Sequence, residues 1–315
     1  MPKIDLLAVA KPSPLLAPQL QDAFDVHDLN ELDPAAFARV APGIRAITCG
    51  GDSRVSGELM AELPALEIVA VMGVGYDGID VAAAKARGVT VTHTPDVLND
   101  DVADLAMGLV LAFSRRLVQA DHHVRSGAWS QGPMPLGRKV SGARLGLVGI
   151  GRIGQGIAKR AAAFGMEVAY TARHARAELP YAYYPDAAAL ASRSDYLVVI
   201  TPGGAATRKL IDAKVLEALG PNGVLVNVAR GSVVDEAALI EALEAKAIAG
   251  AALDVFENEP NVPERLSTLP NVLLAPHIGS GTVATRQAMA DLVVANLRAH
   301  FAGQRVPTAV PECRT

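Results

Sequence analysis

"ARLGLVGIGRIGQGIAKR", residues 143–160, is the stretch that decides the fold. Its opening, ARLGLVGI, reads as an apolar strand buried in a sheet, and a helical pattern follows from about Ile153 to Phe164. Between them Gly149, Gly151 and Gly154 fall in G-x-G-x-x-G spacing, with Arg152 and Ile153 inside the turn. A lone match of this kind is weak, but a strand before it and a helix after it are the context a dinucleotide-binding turn requires. Gly149 allows the tight turn, Gly151 lets the backbone approach a pyrophosphate, and Gly154 lets helix and strand pack closely. The helix N-terminus then offers unpaired N–H groups and the positive end of the helix dipole.

Outward from this turn the chain alternates short apolar runs with helical patterns. Downstream strands are expected at 166–171, 196–201, 223–229, 248–255 and 271–276, with helices at 186–191, 212–219 and 235–245. Together with 143–150 they make the six strands of a doubly wound dinucleotide-binding (Rossmann) domain. Upstream, strands at 4–10, 44–48, 66–71 and 89–93 alternate with helices at 15–22, 34–40, 56–62 and 80–87. This βαβ rhythm implies a second parallel sheet, of flavodoxin-like kind. One helix from about Asn99 to Ser126 and another from Thr282 to Phe301 are placed to carry the chain between domains. The expected fold class is therefore α/β with two doubly wound parallel-sheet domains. Residues 98–282 form the dinucleotide-binding domain, and 1–97 with 283–315 a discontinuous substrate-binding domain.

The adenosine ribose is normally gripped by an acid about 20 residues beyond the glycines, an arrangement that favours NAD. Here that place falls on Ala172, followed by Arg173, His174 and Arg176. An acid would repel a 2′-phosphate, whereas alanine leaves room and guanidinium suits phosphate bidentately. The expected cofactor is NADP(H) by preference, with NAD(H) possible.

Composition narrows the classes. Of the 315 residues 50% are apolar and 20% charged, which fits a globular protein, and the net charge of −4 offers no general attraction for nucleic acid or anionic membrane. Cys49 and Cys313 lack disulfide-framework or metal-site spacing, so reduced thiols, no metal and a cytoplasmic setting are expected. No apolar run reaches the roughly 18 residues of a membrane span. The N-terminus is not laid out as a signal peptide, and "PECRT" is not a targeting address.

Three loops past apolar strands carry polar groups: "NVARGS" holds Arg230, "DVFENEP" holds Glu257 and Glu259, and "APHIGSGT" holds His277. Ligands of open α/β sheets bind outside the C-terminal ends of the strands. A cation, an acid and a histidine delivered to that edge suit hydride transfer to a 2-oxo acid. His27, His93, His122, His123 and His300 belong to no such constellation and read as structural or solvated.

At this point the set "VMGVGYDGID", "GIGRIG", "NVARGSVVDE", "ALDVFENEP" and "APHIGSGT" resembles the D-isomer-specific 2-hydroxyacid dehydrogenases, in the family's order and over nearly the whole chain. "TPDVLNDDVADLAMGL", "VRSGAW" and "PHIGSGTVATRQAMADLVVANL" are most similar to its hydroxypyruvate/glyoxylate and hydroxyphenylpyruvate reductases, several of which share the basic loop and use NADPH. The resemblance implies that His277 is the general acid, Glu259 its carboxylate partner and Arg230 the clamp on the substrate carboxylate and carbonyl. It further implies that the N–H groups of Val74 and Gly75 bind the same carboxylate and that the loop around Gly51 faces the substrate. Asp254 is expected at the nicotinamide carboxamide and Thr201–Pro202 on the adenosine side, with Ala229 and Gly279 also lining the cofactor.

Val102 stands where many relatives have Thr, and the double glycine at 50–51 would admit larger 2-oxo acids. Trp129 and Met134–Leu136 correspond to an arm that reaches a neighbouring subunit, so a homodimer is expected. The leading expectation is reduction of hydroxypyruvate and glyoxylate to D-glycerate and glycolate. The alternatives are a reductase of bulkier acids such as (hydroxy)phenylpyruvate and, from another class, an NAD(P)H-sensing corepressor-like binding protein.

Overall fold

The computed structural model describes residues 3–314. Met1, Pro2 and Thr315, which belong to the termini read above for a leader and an address, lie outside the described residues. In chain order the first elements are β1 (Ile4–Ala8), α1 (Ala17–Ala23), β2 (Phe24–Asp28), α2 (Pro34–Val40), β3 (Ala46–Gly50), α3 (Gly57–Ala61), β4 (Ile68–Met72), α4 (Val81–Ala86) and β5 (Thr90–Thr92). Then come α5 (Asn99–Arg115), α6 (Leu117–Arg125), β6 (Arg144–Val148), α7 (Arg152–Ala163), β7 (Glu167–Thr171), β8 (Ala182–Tyr184), α8 (Ala187–Ala191) and β9 (Tyr196–Val199). The chain closes with α9 (Ala213–Leu219), β10 (Val224–Asn227), α10 (Glu236–Glu244), β11 (Gly250–Leu253), α11 (Glu264–Ser267), β12 (Val272–Leu274) and α12 (Val283–Phe301). These form two compact units, one running to Leu98 and resuming at Ser280, the other Asn99–Gly279.

In the first unit five parallel strands lie in the order β2-β1-β3-β4-β5. This is the flavodoxin-like doubly wound order. Successive residues of a strand face opposite sides of the sheet, so both sides of β1 are apolar. Leu6 packs with Leu20 and with Val293 of α12, while Leu7 packs with Ile44 and Met60, and all six are essentially without solvent exposure.

The second unit holds seven parallel strands in the order β12-β11-β10-β9-β6-β7-β8. Chain order reverses between β6 and β9, which opens a crevice at the C-terminal ends of those strands. The buried faces are aliphatic: Leu145, Leu147, Val198, Leu225 and Val226 are all at most 1% exposed.

Two strands escaped the sequence reading, β2 and β8, and both are sheet edges. β2 is FDVHD and β8 is AYY; neither carries a continuous apolar run, because an edge strand need not be buried on both faces. The expected single helix from Asn99 to Ser126 is two helices. Arg116 adopts a left-handed conformation (φ 54°), and the Ser114 carbonyl accepts from the Arg138 N–H at 2.8 Å instead of continuing the helical ladder.

β11 begins at Gly250, where a Cβ would stand 2.3 Å from the Asn271 carbonyl oxygen and 2.4 Å from Cζ of Phe113 on α5. Gly250→Ala therefore overpacks the seam between helix and sheet. It is expected to destabilise by roughly 1–3 kcal/mol, read as a lower urea midpoint; an unchanged midpoint would contradict this packing.

Candidate active site

The expected residues of the second unit all arrive at the C-terminal edge of its sheet. Gly149, Gly151, Arg152, Ile153 and Gly154 form the turn from β6 into α7; Arg173, His174 and Arg176 follow β7; Thr201 and Pro202 follow β9. Ala229 and Arg230 follow β10, Asp254 and Glu259 follow β11, and His277 and Gly279 follow β12.

The glycine turn is closely built. Gly149 has φ +109°, and a Cβ there would stand 3.0 Å from Ile200 and from the Thr201 nitrogen, so the turn lies directly against the exit of β9. A Cβ at Gly154 would stand 2.5 Å from the Gly149 carbonyl, while at Gly151 it would meet open space. Gly151 caps α7 with no side-chain hydrogen bond, and no acid lies in the first helical turn. Open space and uncapped N–H groups at the start of a twelve-residue helix are what a pyrophosphate needs, so the turn fits a dinucleotide.

Beyond β7, Ala172 is half-buried and Arg173, His174 and Arg176 are exposed. Arg176 Nε lies 2.6 Å from Oε1 of Glu178, an intraloop ion pair with a residue that sequence reasoning passed over. An exposed pair of this kind contributes little and exchanges readily.

The expected catalytic residues Glu259 and His277 are held by hydrogen bonds. His277 Nδ1 lies 2.6 Å from Glu259 Oε2, and Glu259 Oε1 accepts from the Phe256 N–H at 2.8 Å. His277 itself is left-handed (φ 53°), with its N–H on the Asp254 carbonyl at 2.9 Å. The Asp254 side chain, 2% exposed, accepts from the N–H of Ile278 at 2.7 Å and of Gly279 at 2.8 Å. Asp254 thus holds the histidine loop, a role its place in the sequence did not disclose.

Arg230 is fixed from behind by Asn227, which is 1% exposed. Asn227 Nδ2 donates to the Arg230 carbonyl at 3.0 Å and Oδ1 accepts from the Ala229 N–H at 3.1 Å. A Cβ at Gly231 would fall 1.9 Å from the Phe256 carbonyl carbon, so only glycine lets the β10 and β11 loops touch. That contact brings Arg230 beside Glu259, and its charge helps to hold that carboxyl low.

The electrostatics follow from this geometry. His277 is raised above its usual 6.5, chiefly by the Glu259 hydrogen bond against the effect of burial, with the Glu259 charge helping and Arg230 opposing. For Glu259 burial is the largest effect and pushes upward, but His277, the Phe256 N–H and Arg230 together hold the carboxyl below its usual range. Burial raises Asp254, partly offset by its two backbone donors and by His277.

Gly51, Val74 and Gly75 belong to the first unit. A Cβ at Gly73 would stand 2.8 Å from Gly51 Cα, so these two glycine loops lie backbone to backbone. His93 Nδ1–H donates to the Val74 carbonyl at 3.0 Å, and the Thr94 N–H donates to the Gly73 carbonyl at 2.8 Å. The His93 carbonyl in turn accepts from Thr308, which is bonded to Asn296 of α12. Sequence spacing carried no sign of this relay, because its members meet only after the sheet forms.

Since His277 gains its extra proton affinity from Glu259, its ring should titrate above 6.5 by NMR, and Glu259→Gln should bring it down. An unmoved titration would separate the two residues.

Against known proteins, the model of the NAD-binding domain of D-isomer-specific 2-hydroxyacid dehydrogenases matches residues 107–279. A glyoxylate/hydroxypyruvate reductase A of Arabidopsis thaliana is 52% identical over 85% of this chain and 85% of its own. A 2-ketogluconate reductase of Gluconobacter oxydans is 46% identical over 98% of this chain and 99% of its own. Among solved structures, an NADPH-dependent glyoxylate/hydroxypyruvate reductase from Sinorhizobium meliloti, in complex with NADP and malonate, superposes with a TM-score of 0.94. It is 47% identical, covering 99% of this chain and 98% of that one.

Proposed function

The chain belongs to the D-isomer-specific 2-hydroxyacid dehydrogenase family, and we propose that it reduces small 2-oxo acids, hydroxypyruvate and glyoxylate first, to D-glycerate and glycolate with NADPH. It is an NAD(P)-dependent oxidoreductase. The observation that carries the reading is the His277–Glu259 pair at 2.6 Å, beside Arg230 and on the same sheet edge as the open N-terminus of α7.

The nicotinamide, when bound, supplies the hydride. Glu259 occupies Nδ1 of His277, which leaves Nε2 to hold the proton for the substrate carbonyl oxygen. The raised proton affinity keeps the imidazolium available near neutral pH. Arg230 holds the substrate carboxylate and offsets charge developing on the carbonyl oxygen. We assign the backbone N–H groups of Val74 and Gly75 and the loop around Gly51 to substrate binding. The first unit is thus the substrate-binding domain and the second the dinucleotide-binding one. Thr201, Pro202, Ala229 and Gly279 are assigned to the cofactor, with Asp254, whose carboxylate also holds the histidine loop, at its nicotinamide carboxamide.

NADPH is favoured because Ala172 leaves space where an acid would exclude a 2′-phosphate, and exposed Arg173, His174 and Arg176 follow it in the same loop. A second reading, reduction of bulkier 2-oxo acids, is favoured by the 46% identity to the 2-ketogluconate reductase over nearly the whole chain. Kinetics on glyoxylate, hydroxypyruvate, phenylpyruvate and 2-ketogluconate with both cofactors decide between them. The expected outcome is higher kcat/KM with hydroxypyruvate or glyoxylate, and with NADPH over NADH. The absence of turnover with every acid would favour a sensor.

His277→Ala should lower kcat by roughly 10²–10⁴-fold. Reduction consumes the protonated imidazole, so kcat/KM should be level at low pH and fall as pH rises through the raised value. Oxidation of the hydroxy acid should show the opposite limb. Glu259→Gln should move both limbs to lower pH; near-normal turnover of the alanine variant would remove His277 from the role.

We also propose a homodimer. Leu117, Val118, Val124, Trp129 and Leu136 are 52%, 58%, 57%, 66% and 96% exposed within residues 117–136. Apolar exposure this concentrated marks an interaction surface. Light scattering should give twice the 32.7 kDa chain mass, and Val118→Asp with Leu136→Asp should give the monomer; a monomeric parent protein overturns the dimer. No helix among the described residues is long and apolar enough to cross a membrane. Both cysteines are free, and we place the enzyme in the cytoplasm on that ground.

A further inference from the structure

We propose that Tyr170 and Tyr183 are positioning residues for recognition of the cofactor's 2′-phosphate, clasping the loop after β7 at its two ends. The proposal rests on the NADPH reading above. Residues 172–177, Ala-Arg-His-Ala-Arg-Ala, contain no Gly, Pro, Asn or Asp to set a turn, and the loop's own contacts lie at its far end, where Arg176 pairs with Glu178 and its carbonyl accepts from the Leu179 N–H at 3.0 Å. Tyr170, the fourth residue of β7 and 1% exposed, supplies what the loop lacks. Its hydroxyl accepts from the Arg176 N–H at 2.6 Å and donates to the Arg176 carbonyl at 3.3 Å. At the other end the Tyr183 hydroxyl donates to the Ala172 carbonyl at 3.5 Å.

The two phenols are themselves packed together. Their ring centroids are 5.6 Å apart at 57°, a tilted pair joining β7 to the edge strand β8. With one end fixed on a buried ring and the other on a partly exposed one, the loop turns Arg173 and His174 out to solvent, neither of them ion-paired among the described residues. Arg176 is drawn instead toward Glu178. The hydrogen bonds of both phenols go to the loop backbone, and neither residue belongs to the set assigned to the substrate. They decide whether the basic side chains are already placed when a phosphate arrives, which is how preorganisation raises affinity.

The test uses the whole protein and two probes differing in one group, adenosine 2′,5′-bisphosphate and 5′-AMP, titrated by calorimetry. Wild-type protein should bind the bisphosphate more tightly. Tyr170→Phe should weaken bisphosphate binding by roughly threefold to tenfold, the worth of a single hydrogen bond, and leave 5′-AMP binding unchanged. In steady state KM for NADPH should rise alike, with kcat and KM for NADH held. Tyr183→Phe, on a more exposed ring with a longer bond, should shift the same quantities less, and it carries the test should the buried variant fail to fold. Equal weakening of both probes, or of neither, overturns the positioning role. Wild-type protein that does not distinguish the probes overturns the NADPH reading, and the proposal with it.

Discussion

The hydrogen bonds that Asp254 accepts fix the loop that carries His277 at the edge shared with Arg230 and Glu259. Its carboxylate takes the N–H groups of Ile278 and Gly279, and its carbonyl takes that of His277. A left-handed residue other than glycine costs on the order of 1–2 kcal/mol, and His277 is such a residue. Three backbone donors at about 0.5–1.5 kcal/mol each offset that strain and leave the turn a single conformation. Glu259, a few residues further along the same strand exit, then meets the ring. One strand end therefore anchors both the backbone and the imidazole of the histidine, and Gly231 lets the neighbouring loop bring Arg230 alongside.

This arrangement couples charge to binding. Asp254 and Glu259 are neighbouring carboxyls with opposite displacements, the first pushed up by burial, the second held down by its imidazole and Arg230. Arg230 opposes protonation of His277, although Glu259 outweighs it. A carboxylate seated on Arg230 would cancel that opposition. Occupation of Arg230 by an anion and retention of the proton by His277 would then reinforce each other.

Most of this architecture was legible in residue order, because buried parallel strands are continuous apolar runs and the glycine turn sits between a strand and a helix. What stayed hidden has a common cause. β2 and β8 are sheet edges whose sequences, FDVHD and AYY, need no two-sided apolar face. The break at Arg116 depends on Arg138, which reaches Ser114 only in the folded chain. Arg230, Glu259 and His277 announced themselves as polar groups past apolar strands. The residues behind them did not: Asn227 and Asp254 look like ordinary strand-end polars until their partners are known, and His93 reads as a stray histidine until Val74 lies beside it.

The same distinction applies to the loop after β7, where counting arginines misleads. An exposed Arg side chain carries about 2 kcal/mol of rotamer entropy and is well solvated, so charge alone would hold any anion weakly. Arg176 moreover already has an anionic neighbour in Glu178, and a phosphate would replace one partner by another at small net gain. Selectivity for a 2′-phosphate over a hydroxyl must then come from two other sources. One is the missing carboxylate at Ala172, whose absence removes a repulsion. The other is the posture of the loop, set by a buried phenol, which gathers otherwise mobile charges at one place. The first is written in the sequence as a substitution; the second depends on the hydroxyl that β7 delivers to the backbone of a loop whose residues 172–177 include none that sets a turn.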